Sequence, residues 1–122
     1  MSRIDEIKRQ RRDILSELAR LEQVRRGSVV QQMFHAKDDE GKVVERGPYP
    51  LYTFKEKGKT VSRRITVARH VALYEKQIAA FRRFETLTAL LVRLGGELSD
   101  LALSDDTELK KRPKSRSNRP SS

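Results

Sequence analysis

Two stretches with helical apolar spacing flank a central stretch whose period is not helical, and this change of period restricts the chain to an α+β arrangement. In the first stretch Ile4, Ile7, Ile14, Leu18 and Leu21 recur at three-four spacing, with Leu15 widening the stripe and Arg11 interrupting it. Ser2-Arg3-Ile4-Asp5 fits a capping box. Arg20, Arg25 and Arg26 gather where the helix dipole is negative, and Gly27 follows them. The expectation is a helix over residues 3–26, a rod of roughly 36 Å.

The central stretch is rich in β-branched and aromatic residues punctuated by turns. Ser28–His35 places Val30, Gln32 and Phe34 on one face and Val29, Gln31 and Met33 on the other, which predicts a strand over 28–35. Asp38-Asp39-Glu40-Gly41 is turn chemistry, and Lys42–Arg46 is open between a short extra strand and a loop. Gly47-Pro48-Tyr49-Pro50 leads into a second strand at about 50–55; its prolines cannot donate to a ladder and belong at a strand start or edge. Glu56-Lys57-Gly58-Lys59 is a hairpin turn returning into a third strand over 60–65.

Thr66 is the expected N-cap of a second long helix over 67–94, with Val71, Tyr74, Ile78, Phe81, Phe84, Leu87, Leu91 and Leu94 as its stripe. Gly95-Gly96 weakens or kinks it, and Leu98, Leu101 and Leu103 leave an extension to 103 open. So short a sheet cannot cover both stripes. They are satisfied by an antiparallel helix pair or by a homodimer through the long helices. The fold class is therefore α+β: long N-terminal helix, small antiparallel three-stranded sheet, long C-terminal helix and disordered basic tail. Residues 1–103 form a single domain in this reading, and 104–122 lack periodic apolar positions.

Of 122 residues, 27 are Lys or Arg and 17 are Asp or Glu, a net charge of +10. The excess is concentrated: residues 47–70 hold six basic and one acidic side chain, and the last stretch carries Lys110, Lys111 and Arg112 among its cations. Concentration of this kind is the footprint of a polyanion partner rather than of solubility alone. With no Cys, a disulfide framework and thiolate metal sites are excluded. No apolar run has membrane-spanning length, and Met1-Ser2-Arg3-Ile4-Asp5 has no signal-peptide core. The expected protein is cytoplasmic, or nucleoid-associated if it binds DNA, and does not contact membranes.

The order Gly27-Ser28, Gly47-Pro48-Tyr49 with Tyr52 three residues on, then Gly58-Lys59-Thr60, resembles a family of small prokaryotic proteins of unknown function that are often linked to transposases and other mobile elements. The likeness spans about residues 14–94. It implies a DNA-related context and supplies no catalytic residues. Members commonly carry several Cys before the Gly-Pro-Tyr element; His35, Asp38 and Asp39 stand there instead, which argues against a metal-linked role for that loop.

Catalytic chemistry finds little to work with. His35 beside Asp38, Asp39 and Glu40 reads as solvated surface, His70 is isolated, and no Ser, Thr or Lys has an arguable base and orienting group. Lys57-Gly58-Lys59-Thr60 ends like a phosphate loop, but Thr53 stands where that loop needs Gly. No enzyme activity, cofactor or metal is expected.

The hairpin carries the most information. Lys55, Lys57, Lys59, Arg63 and Arg64 fall on a two-stranded ribbon interleaved with Tyr49, Tyr52 and Phe54. Such a ribbon fits the major groove of DNA, and exposed aromatics alternatively stack on single-stranded bases. The competing reading puts Leu51, Phe54, Val61 and Ile65 in a core and leaves the cations to blunt an edge strand. The leading expectation is a non-enzymatic nucleic-acid-binding accessory protein, DNA more than RNA, contacted by Tyr49, Tyr52, Lys55, Lys57, Lys59, Arg63 and Arg64, with Lys110, Lys111 and Arg112 adding electrostatic reach. Its rival is an adaptor that binds a protein partner through its long helices.

Overall fold

The computed structural model describes residues 2–111. Its elements are α1 (Arg3–Arg20), β1 (Ser28–Lys37), β2 (Val43–Glu56), β3 (Lys59–Arg64) and α2 (His70–Lys111). The sheet is antiparallel with strand order β1-β2-β3. This is the α+β class expected, a helix, a three-stranded antiparallel sheet and a long helix. Among the described residues no helix is long and apolar enough to cross a membrane.

The element boundaries carry the corrections. The first helix stops at Arg20 rather than 26. Residues 21–26 leave the helix because tertiary partners claim them: the Arg25 amide donates to the Gln77 carbonyl at 3.1 Å, and the Arg25 guanidinium lies over the Tyr52 and Tyr74 rings. At the other end Ser2 caps as expected, its Oγ accepting from the Asp5 amide at 3.1 Å.

Lys42–Arg46 is strand from Val43 onward, joined to the second strand as one 14-residue β2. Asp38 makes this pairing by closing a tight turn, its Oδ1 accepting from the Glu40 and Lys42 amides, each at 2.9 Å. The ladder then meets an irregularity between Gln32 and Phe34, opposite the cis Gly47–Pro48 peptide. Gly47 has φ +120, and a Cβ there would lie 2.9 Å from the Gln32 carbonyl oxygen, so only glycine lets β2 pass this point without displacing β1.

The second helix starts at His70, three residues later than the sequence suggests, because Val67 and Ala68 accept turn bonds from His70 and Val71. It then runs 42 residues, through Gly95-Gly96, to Lys111. Residues 104–111, expected in the disordered tail, are helical. They contain no Gly or Pro, and Glu108, Leu109, Lys110 and Lys111 are good helix formers, so propensity carries the helix past the end of the apolar stripe. The remainder of the tail, 112–122, lies outside the described residues.

Within the span 1–103 read as one domain, contacts group the residues into two compact units. One unit joins α1 to the part of α2 from Thr86 onward. Its core is aliphatic: among the described residues Ile7, Leu87 and Leu94 are its largest fully buried side chains. Arg3 grips Glu97 side-on, Nε and a terminal nitrogen donating to the carboxylate at 2.7–3.1 Å. The hydrogen bond to Glu97 is the main reason the Arg3 pKa is raised above its ordinary value. Ile7 lies one turn after Arg3 and Leu94 one turn before Glu97, the register of an antiparallel helix pair.

The other unit, Leu21–Glu85, holds the sheet and the first part of α2. Tyr52, Ile65 and Ile78 form its core, with Val29, Phe54, Val71 and Tyr74 packed around them. Each such large side chain contributes about 1.5–3 kcal/mol when fully buried.

Candidate nucleic-acid interface

Strand alternation and register divide the sheet into two faces. On one, Val29, Tyr52 and Phe54 meet α2 through the core just described. The opposite face carries Val30, Gln32 and Phe34 from β1, Arg46, Tyr49, Leu51, Thr53 and Lys55 from β2, and Thr60, Ser62 and Arg64 from β3. Leu51 is buried and Tyr49 and Thr53 are half-buried, but the rest is open: Val30 is 40% and Phe34 41% exposed, and Gln32, Arg46, Lys55, Thr60, Ser62 and Arg64 are exposed. Its strand positions hold three cations and no carboxylate.

At the centre of this open face sits a cluster of rings and guanidinium. The Arg64 guanidinium lies 3.6 Å above the Tyr49 ring, close enough for cation–π attraction. Phe34 stands beside the same tyrosine, ring centroids 5.8 Å apart and tilted by 39°. Gly47 and Pro48 bring these residues together, because the irregularity they introduce sets Tyr49 beside Phe34 while Arg46 pairs with Phe34 in the ladder.

The residues singled out from sequence are thus distributed. Tyr49 and Arg64 touch each other on the open face, with Lys55 on the same face of β2. Lys57 occupies the hairpin tip with φ 51 and is exposed, as is Lys59. Arg63 points to the covered face, its guanidinium 5.3 Å from the Phe54 ring centroid, and remains exposed. Tyr52 is a correction. It is 5% exposed, stacked on Phe54 and tilted against Tyr74, and its hydroxyl donates to the Arg26 carbonyl, so it has no ring face to offer a ligand. Of the tail cations, Lys110 and Lys111 fall in the last turn of α2, and Arg112 lies outside the described residues.

Two residues of the open face were missed as site residues. Phe34 shares its face with Val30 and Gln32 in the sequence pattern, but alternation alone does not tell which face is covered. Arg46 lay in a segment left open between strand and loop. His35 pairs across the ladder with Glu45 at 3.5 Å, and among the described residues no group of three or more His, Asp or Glu converges as a metal site would require.

Gly27 and Tyr52 are required by the packing around them. Gly27 has φ +116, and a Cβ there would collide with the Thr53 carbonyl oxygen and lie 2.8 Å from a Tyr52 ring carbon. Tyr52 in turn bonds the carbonyl of the preceding Arg26, so Gly27 and Tyr52 together lock the chain onto the sheet. No curated protein and no solved structure matches the chain significantly. Residues 4–73, which include α1 from Ile4 onward, the whole sheet and the Gly27, Gly47 and Tyr52 positions, match the family model described as a domain of unknown function, DUF6788. The chain belongs to the DUF6788 family.

Proposed function

We propose that this protein is a non-enzymatic nucleic-acid-binding accessory factor, acting on DNA in preference to RNA, with the β2–β3 hairpin as its electrostatic contact. The observation that carries this reading is the concentration of exposed cations on one small element: Lys55, Lys57, Lys59, Arg63 and Arg64 surround the hairpin, where Glu56 is the one carboxylate. The ladder sets Lys59 opposite Glu56 but places Lys55, Arg63 and Arg64 opposite Thr60, Tyr52 and Leu51, so their charge is available to phosphates. The resemblance to proteins linked to mobile elements supports a role beside a DNA-processing enzyme.

The test is a titration with duplex and single-stranded oligonucleotides at several salt concentrations. Each phosphate contact on duplex DNA contributes about −0.9 to the slope of log affinity against log salt. The double variant Lys57→Ala, Lys59→Ala weakens binding and flattens that slope while leaving helicity unchanged. Equal binding by the parent and by hairpin variants rejects the reading. The adaptor alternative then takes over, favoured by exposed apolar side chains on α2 such as Leu73 at 45% and Val92 at 74%.

A further inference from the structure

We infer that the open face of the sheet is a stacking platform for unpaired bases, so that the polyanion this protein takes is single-stranded. The inference rests on the nucleic-acid reading above and adds the substrate class and the residues that select it.

The argument starts from what the face displays. An exposed phenylalanine, a tyrosine and a guanidinium lie side by side on a rigid sheet: Phe34 and Tyr49 with centroids 5.8 Å apart, and Arg64 3.6 Å above Tyr49. The chain covers the other face of this sheet with α2; on this one Leu51 is buried and Tyr49 half-buried, while Val30 and Phe34 stay 40% and 41% exposed beside exposed Gln32, Arg46, Ser62 and Arg64. An exposed apolar patch rimmed by polar and charged groups marks an interaction site. The charge identifies what covers it. Arg46, Lys55 and Arg64 occupy its strand positions without a single carboxylate, so an acidic ligand is favoured over a neutral or basic one. A polyanion with flat apolar faces satisfies both requirements at once.

Pairing state follows from geometry. In a duplex the faces of the bases are buried against one another, and an aromatic on an open sheet cannot reach them. In a single strand every base offers a π-face, to an aromatic ring or to an arginine plane. Phe34 and the Arg64–Tyr49 pair are two adjacent platforms of this kind. Gln32 and Ser62, exposed on the same face, supply polar groups to base edges, while Arg46 and Lys55 lie along β2 for the phosphates.

The experiment measures anisotropy of labelled oligothymidylate, oligouridylate and a duplex of equal length against the full chain and three variants. Phe34→Leu keeps an apolar side chain and removes the ring, Phe34→Tyr restores a ring, and Arg64→Lys keeps the charge but removes the planar group. The expected result is that Phe34→Leu weakens single-strand binding roughly tenfold with an unchanged salt slope and leaves duplex binding alone. Phe34→Tyr retains parental affinity, and Arg64→Lys loses several-fold on single strands. Comparable losses on oligothymidylate and oligouridylate support the platform for both kinds of strand; a loss on one of them assigns the platform to that strand. Parental single-strand binding by both Phe34→Leu and Arg64→Lys overturns the inference, as does a parent that prefers duplex. If in that case Lys57→Ala, Lys59→Ala still weakens binding, the hairpin reading survives without the platform. If the parent binds no oligonucleotide at low salt, both fall.

Discussion

The two faces of the sheet hold the same chemical pair, an arginine over a tyrosine, and put it to opposite uses. On the covered face Arg25 lies 5.0 Å from the Tyr52 ring centroid and 4.7 Å from that of Tyr74, while its Nε donates to Gln77 Oε1 at 2.8 Å. Every element of that pair is engaged by the chain itself: the ring is buried, the hydroxyl donates to Arg26 and the guanidinium is held by α2. On the open face Arg64 lies over Tyr49 and is exposed, and Phe34 alongside is 41% exposed. An aromatic on a strand is thus either a structural anchor or a ligand platform, and a covering helix decides which.

Substitutions that separate the faces test this contrast directly. The largest effect is expected at Tyr52. Tyr52→Ala removes a buried ring and costs about 3–5 kcal/mol in chemical denaturation, whereas Tyr52→Phe loses only the bond to the Arg26 carbonyl and costs about 1 kcal/mol. Next comes Gly27→Ala, which must accommodate both a positive φ and a collision with Thr53; a loss of about 3 kcal/mol is expected, read from the same denaturation curves. The smallest effect belongs to the open face: Phe34→Leu changes stability by no more than about 0.5 kcal/mol. A Phe34→Leu loss as large as that of Tyr52→Ala would break the contrast and place Phe34 in a core. A melting temperature that rises on adding oligothymidylate to the parent, and not to Phe34→Leu, would sharpen it.

Both long helices, the three strands and the hairpin between them were legible because each is written in local terms. Three-four apolar spacing marked the helices, β-branched runs marked the strands, and Gly58 marked the turn. The density of cation in residues 47–70 was equally visible, since charge is additive along a sequence. What local pattern could not supply was which side of each strand the chain would cover. Alternation defines two faces and is symmetric between them, so Tyr49 and Tyr52, three residues apart and on opposite faces, looked equivalent until α2 was in place. The same holds for residues 21–26, helical by pattern but drawn out by Gln77 and Tyr74, both distant in sequence. Periodicity and charge are properties of neighbours along the chain and were set by the sequence itself. Burial is a property of neighbours in space, and only the packing of α2 on one face made Tyr52 core and left Phe34, Tyr49 and Arg64 at the surface.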